Sequence, residues 1–301
     1  MTDDLPIVDA HHHLWSLSGA IRYPWLQQPR ETPHFLGDVG ALVHDYLPDD
    51  YRRDAGHHGV VATVHVEAEC DRSQQVAETA WLTSLSASHG LPTAIVAHAW
   101  FHTDDATEIL ARQAAFPLVR GIRSKPVTRA APDAPPTGRR GTMQDPRWQE
   151  GYEALARHGL SWDLRVPAWH LEEAAEWIAD HPDIPVVVNH AGLPFDRSDR
   201  GMATWRRGMR ALAAVPHCHC KLSCLCLPPA TWSYDANRAI VLETIDTFGV
   251  DRCMFASNFP VDGLQVGFER MFDEFKRMTA HLAPEHRHAL FNANARRFYR
   301  I

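Results

Sequence analysis

Eight short runs of β-branched and other apolar residues, each followed by a stretch with helical spacing, constrain the fold of this chain most strongly. Strands that alternate with helices pair in parallel through right-handed crossovers. Eight such units predict a single (β/α)8 TIM barrel over residues 1–301. An open sheet would usually carry a glycine-rich phosphate turn after its first strand, whereas here the first run ends in histidines. The runs cover residues 7–13, 60–69, 93–100, 118–125, 160–166, 184–192, 218–225 and 252–259.

Two long connections follow the first and fourth runs. Residues 14–59 are rich in Trp, Pro and His, and residues 128–146 are rich in Pro and Gly. In a (β/α)8 barrel both connections would lie at the carboxyl ends of strands, where active sites are built. They therefore either contribute to an active site or are ordinary loop insertions, and the sequence favours neither interpretation.

The charge and hydropathy of the chain exclude several classes of partner. Its 301 residues carry a formal net charge of −7, without the clustered Lys and Arg of a nucleic-acid-binding surface. No apolar run approaches the roughly 20 residues that a membrane helix needs, and the start MTDDLP lacks the apolar core of a signal peptide. These features predict a cytoplasmic protein that binds a small molecule and neither nucleic acid nor membrane. They leave the oligomeric state open.

The six cysteines are predicted to be small buried side chains and not a zinc cluster. Four of them lie in CHCKLSCLC, residues 218–226, which reads as a strand and contains no CxxC pair. Alternate residues of a strand lie about 6.6 Å apart along one face, so one strand cannot wrap four sulfurs around a tetrahedral ion. Buried free cysteine is therefore the better interpretation.

The histidine triplet in VDAHHHLW lies at the end of the first predicted strand. Side chains alternate between the two faces of a strand, so we expect Asp9, His11 and His13 to share one face. His12 falls on the opposite, apolar face and is expected to point toward the surrounding helices. His11 and His13 then form an inward HxH pair, which suits chelation of one ion by two neutral imidazoles.

Other polar side chains near strand ends are expected to face the barrel mouth. His190, at the end of the sixth run, is a candidate third ligand or a core histidine bonded to a carbonyl. Glu67 on the second run either reaches the cavity or lies exposed at its rim. Arg123 on the fourth run suits a substrate carboxylate, unless it pairs with an inward acid such as Asp163 or Glu67. Lys221 on the seventh run is expected to point inward, where it binds substrate or forms a structural ion pair.

Asn258 is the last inward residue of the eighth run before Pro260 ends the strand. An amide has no useful basicity, so Asn258 cannot be the general base of a hydrolytic reaction. Asp262, four residues later in a loop that enters the mouth, is one candidate base, and Glu67 is another.

Together these residues resemble the amidohydrolase superfamily, and within it the amidohydrolase-2 group of TIM-barrel hydrolases, which contains sugar lactonases and pyrone-dicarboxylate lactonases. The matching segments are VDAHHHLW, VHVEAE, VRGIRSKP, GTMQDPRWQEGYEALARHGLSWDLRV, VVVNHAGLP, CKLS and MFASNFPVD, which span nearly the whole chain in the family's order. The resemblance implies an amidohydrolase-like barrel with a hydrolytic site at the carboxyl ends of the strands. His11 and His13 match the first-strand HxH, and His190 matches the sixth-strand histidine. Arg123 matches the arginine that helps lactonases to hold an anionic substrate.

The same resemblance bears on the cofactor. His11, His13 and His190 would together hold one divalent metal ion such as Zn²⁺. Asn258, however, stands where many members of the superfamily carry an aspartate that binds metal or takes a proton from water. Some members of the resembling group also work without a metal. Metal-dependent and metal-independent catalysis therefore both stay open.

The leading expectation is hydrolysis of a lactone or similar cyclic ester of a small, anionic organic or sugar acid. Water attacks the carbonyl, the three histidines stabilise the oxyanion directly or through a metal, and Arg123 holds the anionic end of the substrate. Asn258 positions water or the carbonyl, and Lys221 and Trp100 complete the substrate site. A lactone is reactive enough for a modest base, which makes this reaction more plausible here than amide hydrolysis.

Two alternatives come from other functional classes. Related barrels with the same histidines carry out metal-dependent, non-oxidative decarboxylation, which release of carbon dioxide would reveal. The chain could instead be a catalytically inactive ligand-binding barrel in which Asn258 records the loss of the acid. Binding of a sugar acid without turnover would support that alternative.

Overall fold

Eight parallel strands form one sheet in which each strand pairs with the next along the chain. The computed structural model describes residues 5–28, 35–135, 138–226 and 230–301. The strands are β1 (Ile7–His12), β2 (Val60–Val66), β3 (Ala94–Ala97), β4 (Val119–Ile122), β5 (Ser161–Leu164), β6 (Val186–Val188), β7 (Cys218–Leu222) and β8 (Cys253–Phe255). The sheet closes because the N–H of Asn258 donates to the His11 carbonyl at 2.7 Å and the N–H of His13 donates to Phe259 at 2.8 Å. The predicted (β/α)8 barrel is confirmed.

Helices connect the strands and follow the last of them. They are α1 (Pro24–Gln27), α2 (Pro48–Ala55), α3 (Gln75–His89), α4 (Ala106–Ala114), α5 (Pro146–His158), α6 (Leu171–Ala179), α7 (Asp199–Ala213), α8 (Tyr234–Phe248), α9 (Phe268–Met278), α10 (Pro284–His288) and α11 (Asn294–Tyr299). Local sequence fixes their ends, as α5 shows. Asp145 caps its first turn by accepting from the Arg147 N–H at 3.0 Å, and Gly159 ends it in the left-handed conformation.

The two long connections are only partly irregular. The first, 14–59, contains α1 and α2, and its residues 29–34 lie outside the described residues. The second, 128–146, leads into α5, and its residues 136–137 lie outside the described residues as well. Both connections follow carboxyl ends of strands, as expected for segments that shape a barrel mouth.

The barrel interior is a small apolar cluster, separate from the larger apolar layer between strands and helices. Its members are Val8, Ala10, Ala62, Val64, Val66, Ala94, Val96, Val187, Met254, Ala256, Ala295, Phe298 and Tyr299. The last three belong to α11. The ring of Phe298 lies 4.9 Å from that of His219 at the start of β7, so α11 fills the amino end of the barrel.

Two expectations from composition can be compared with the structure. All six cysteines are free and buried, which confirms their interpretation as small core side chains. Within the described ranges, the structure contains no helix with the length and apolar character that crossing a bilayer requires.

Candidate active site

A cavity opens at the carboxyl ends of the strands, the end where barrel enzymes place their active sites. It contains about 540 Å³ of empty space, including the part open to solvent. Four of the predicted site residues line this inner cavity: His13, Arg123, His190 and Asn258. Side chains that follow β1, β4, β6 and β8 therefore meet at one place.

The three histidines predicted as a set are adjacent but not equivalent. The ring centre of His11 lies 5.0 Å from that of His13 and 4.7 Å from that of His190. Burial lowers the pKa of His13 to about 4 and holds the pKa values of His11 and His190 well below their usual range. All three rings are therefore neutral at pH 7. His11 is fully buried, and neither of its ring nitrogens has a hydrogen-bond partner among the described residues.

His13 and Asn258 direct two hydrogen-bond acceptors at the same point. The Val66 carbonyl lies 2.8 Å from Nδ1 of His13, so in the neutral ring Nδ1 carries the proton and Nε2 is an acceptor. Nδ2 of Asn258 donates to Asp262 at 2.7 Å, which turns its Oδ1 toward Nε2 of His13 at 3.3 Å. Two acceptors cannot bond to each other, so this pair is suited to share one donor such as a water molecule.

The donor types at this site suit a divalent ion, but their spacing does not. Neutral imidazoles bound on one nitrogen are the ligands that zinc prefers, and the nitrogens of a tetrahedral site lie about 3.3 Å apart. Across the described ranges, only one group of three His, Cys, Asp or Glu residues brings its ligand atoms within 4.8 Å of one another. That group is His57, His58 and Asp273, at the opposite end of the barrel. The ring nitrogens of His11, His13 and His190 are therefore not spaced for one metal ion in this structure.

An irregularity in β1 changes which of its residues face the barrel. The pairing of β1 with β2 shifts register between Asp9 and His12. Val8 lies in the interior cluster, whereas the carboxylate of Asp9 points away from it and accepts from Tyr51 and Ser257. The expectation that Asp9 shares the face of the inward histidines is therefore wrong. His12 points outward as predicted, with its ring 4.7 Å from that of Tyr51 on α2.

His190 and Asn258 reach the cavity through turns that follow the strands. Both have a positive φ, 58° and 53° respectively, and both lie beyond the last paired residue of their strand. In β6 the interior residue is Val187, so simple alternation would have directed His190 outward. The turn after Val188 brings it back to the cavity, where Nδ1 lies 2.9 Å from the Ser223 hydroxyl.

Glu67 belongs to an ion-pair network and does not appear among the described residues that line the cavity. Nε of Arg123 donates to its Oε1 at 2.7 Å, and Arg72 donates to its Oε2 at 3.1 Å. Burial alone would raise the pKa of Glu67, but Arg123 and Arg72 hold it well below its usual range. A carboxylate stabilised in this way is a weak base. Val64 and Val66 occupy the barrel interior, so alternation along β2 does not direct Glu67 inward.

Lys221 points into the barrel as predicted, but it lies below the inner cavity. Its Nζ is 2.6 Å from Asp163, and both side chains are fully buried. Asp163 also accepts from Nδ2 of Asn189 at 2.9 Å and from the Tyr299 hydroxyl at 3.0 Å. Lys221 therefore forms the structural ion pair considered for it, and its contact with substrate stays a prediction.

Asp262 and Trp100 lie near the cavity but are absent from its described lining. Asp262 lies behind Asn258, and its second carboxylate oxygen accepts from the Cys224 N–H at 2.9 Å. Burial raises the pKa of Asp262 to about 7. Trp100 packs under the Arg72 guanidinium, whose central carbon is 4.9 Å from the indole. Their roles as base and as substrate contact stay predictions.

Comparison with known proteins assigns the chain to a family. A family model described as Amidohydrolase matches residues 8–301. The chain belongs to the amidohydrolase family. The resemblance and the hydrolase class predicted from the sequence are thereby confirmed.

Individual relatives of this amidohydrolase are similar along their whole length. The uncharacterised protein y4mH of Sinorhizobium fredii is 36% identical over 298 residues, which cover 99% of both chains. An L-fucono-1,5-lactonase of Burkholderia multivorans is 28% identical over 306 residues, which cover 98% of this chain and 96% of the lactonase. A Burkholderia multivorans amidohydrolase solved with bound zinc has a TM-score of 0.78 at 26% identity, covering 98% of this chain and 99% of that one.

Sequence reasoning missed a cation that lines the cavity of this amidohydrolase. Arg165 follows β5, lines the inner cavity, and lies two residues beyond the inward Asp163. The alternation of side chains along β5 could therefore have identified it, because Asp163 and Arg165 share a face of the strand.

Proposed function

We propose that this amidohydrolase opens a lactone of a small organic or sugar acid by attack of water on the ring carbonyl. The observation that carries the proposal is the pair of acceptors, Nε2 of His13 and Oδ1 of Asn258, 3.3 Å apart in the lining of the inner cavity. A water that donates to both has one lone pair directed into the cavity. The full-length similarity to an L-fucono-1,5-lactonase supports a lactone as the substrate.

In the proposed first step, His13 takes the proton of the attacking water. The water oxygen forms a bond to the carbonyl carbon while Nε2 of His13 accepts the proton, and the carbonyl electron pair moves onto oxygen. The low pKa of His13, about 4, makes it a weak base, which suits a reactive lactone and would be inadequate for an amide. Asn258 keeps the water oriented because its amide is fixed by Asp262.

In the proposed second step, the ring opens. With the Ser223 hydroxyl donating to Nδ1, His190 carries its proton on Nε2 and donates a hydrogen bond to the oxyanion. The tetrahedral intermediate then breaks the bond between carbonyl carbon and ring oxygen. The leaving oxygen takes the proton held by His13, and the product is a hydroxy acid whose carboxyl proton passes to solvent.

A divalent metal is not required by this scheme. A zinc ion, as bound by the Burkholderia multivorans amidohydrolase, would polarise the carbonyl if His11, His13 and His190 moved together. Because these rings are not spaced for one ion, we expect hydrolysis to survive prolonged treatment with EDTA. Loss of activity to EDTA and its return with Zn²⁺ alone would establish the metal-dependent alternative.

The proposal is tested with a panel of sugar lactones, with acid release followed by a pH indicator. His13→Gln removes the proton acceptor, and we expect kcat to fall by at least about 100-fold, the lower end of general-base contributions. His12→Gln, a change of the same kind on the outward face, is the matched control and should retain most of the activity if it folds. Equal rates for wild type and His13→Gln would contradict the scheme.

The same panel separates the other two classes. Release of carbon dioxide from hydroxybenzoic acids without lactone hydrolysis would show a decarboxylase. Tight binding of sugar acids by calorimetry without turnover of any lactone would show an inactive binding barrel. Either result would overturn the proposed hydrolysis.

A further inference from the structure

Three of the four cations around the cavity pair with two carboxylates. Arg72 and Arg123 both pair with Glu67, as described above. Lys125 pairs with Glu69, which also lines the inner cavity. Arg165 is the fourth cation, and no carboxylate of the described residues lies within the 4.0 Å of an ion pair with it.

The environment of Arg165 leaves its donors available to a ligand. Its guanidinium carbon lies 5.1 Å from the ring centre of Phe35, and this ring is the contact that the structure gives it. Burial lowers the pKa of Arg165, but an arginine remains charged in proteins. Among the described residues, Glu69 attracts this half-buried guanidinium only from beyond ion-pair distance, so the cost of burying its charge stays largely unbalanced unless an anion reaches it. By contrast, Nε and one Nη of Arg123 already donate to Glu67.

Arg165 also lies at the junction of two cavities. The inner cavity and a larger outer one, with about 1770 Å³ of empty space including the part open to solvent, share Phe35, Arg165, Leu193 and Phe195. The outer cavity continues past Arg165 toward Trp169. A substrate whose carbonyl reaches His13 would therefore direct the far end of its chain past this guanidinium.

We infer that Arg165 binds a carboxylate of the substrate, at the junction of the two cavities and away from the ring bond that is cleaved. This inference rests on the proposed lactone hydrolysis and narrows its substrate to lactones of diacids. Guanidinium and carboxylate would pair through two parallel hydrogen bonds, which a lysine cannot reproduce. Arg165 is then a specificity-determining residue, while Arg123 chiefly holds Glu67.

The kinetic test compares two lactones that differ in one group. D-glucaro-1,4-lactone carries a carboxylate where D-glucono-1,4-lactone carries a hydroxymethyl group. For Arg165→Gln we expect KM for the glucarolactone to rise about 10- to 100-fold, while KM for the gluconolactone changes less than about threefold. Arg165→Lys should recover only part of the loss. Arg207→Gln, an exposed arginine paired with Glu172 on the outer helices, removes the same charge and should change neither value.

The outcomes distinguish this inference from the function on which it rests. Equal loss for both lactones would show that Arg165 polarises the carbonyl or supports the fold, and would overturn the inference. If wild type hydrolyses neither lactone, calorimetry with D-glucarate decides the matter separately. Binding of D-glucarate that weakens at least about tenfold in Arg165→Gln, with an unchanged thermal midpoint, would support the anion site without the lactonase. Equal or undetectable binding by wild type and variant would overturn the anion site too.

Discussion

The role of Asp262 can be tested near neutral pH, because burial raises its pKa to about 7. Only its charged form accepts from both Asn258 and the Cys224 N–H. Its pKa is raised, so Asp262 gains a proton as pH falls through about 7 and the Asn258 amide loses its orientation. We expect kcat/KM to fall below pH 7 and to level off above it. Measurement of kcat/KM from pH 5 to 9 would show this fall.

The variant Asp262→Asn shows whether Asp262 positions Asn258 or is itself the general base. If Asp262 acts through Asn258, the fall of kcat/KM below pH 7 should disappear in the variant. Its kcat should also drop about tenfold, as for one weakened hydrogen bond. A loss above about 1,000-fold at every pH would identify Asp262 itself as the base, as the sequence suggested. If kcat/KM of the variant still falls below pH 7, the titrating group is a residue other than Asp262.

Residue types at strand ends predicted much of the candidate site, and backbone irregularities explain the errors. His13, Arg123, His190 and Asn258 were all singled out from sequence and all line the cavity. Alternation placed Asp9 wrongly because the pairing of β1 with β2 shifts register, which no propensity reveals. Alternation also does not account for His190, because a turn with positive φ after β6, and not the strand, brings that ring inward.

The ion pair between Lys221 of β7 and Asp163 of β5 is predicted to stabilise the fold. Lys221→Met would leave the fully buried Asp163 carboxylate without its cation. We expect the free energy of unfolding to fall by about 3–5 kcal/mol, as for other broken buried pairs. Urea unfolding followed by tryptophan fluorescence measures the loss, and KM for a good substrate should change little in the folded fraction.

A second variant distinguishes lost charge from lost packing. Lys221→Met combined with Asp163→Asn removes both charges and keeps the hydrogen bonds of an amide to Asn189 and Tyr299. The double variant should therefore be more stable than Lys221→Met alone. If the double variant is the less stable of the two, the pair does not act as a charge pair.

The packing of α11 into the barrel core is predicted to stabilise the whole fold. Phe298 is only 7% exposed and packs with Val8 and Ala10 of β1, which lies at the other end of the chain. Phe298→Ala should lower the free energy of unfolding by about 3–5 kcal/mol. Val61→Ala, at a position 53% exposed, should change it by less than about 0.5 kcal/mol. Similar losses of unfolding free energy in both variants would contradict a role for Phe298 in filling the barrel.

The whole fold was more predictable than the shape of its mouth. Eight alternating runs of strand and helix are a periodic signal, and the closed sheet follows from it with few alternatives. The cavity is bounded by residues from loops that have no period, such as Phe35, Leu193 and Phe195. Their positions depend on tertiary contacts, so sequence patterns could not outline the substrate.

The filling of the amino end by α11 has a kinetic consequence for any reaction in the inner cavity. Among the described residues, Phe298 and Tyr299 fill the amino end of the barrel, so we expect lactone and hydroxy acid to enter and leave through the mouth. A newly formed hydroxy acid therefore prevents the next lactone from binding until the acid has left the cavity. We expect purely competitive inhibition by the product in initial-rate measurements. A mixed pattern would indicate a second binding place for the acid, such as the outer cavity beyond Arg165.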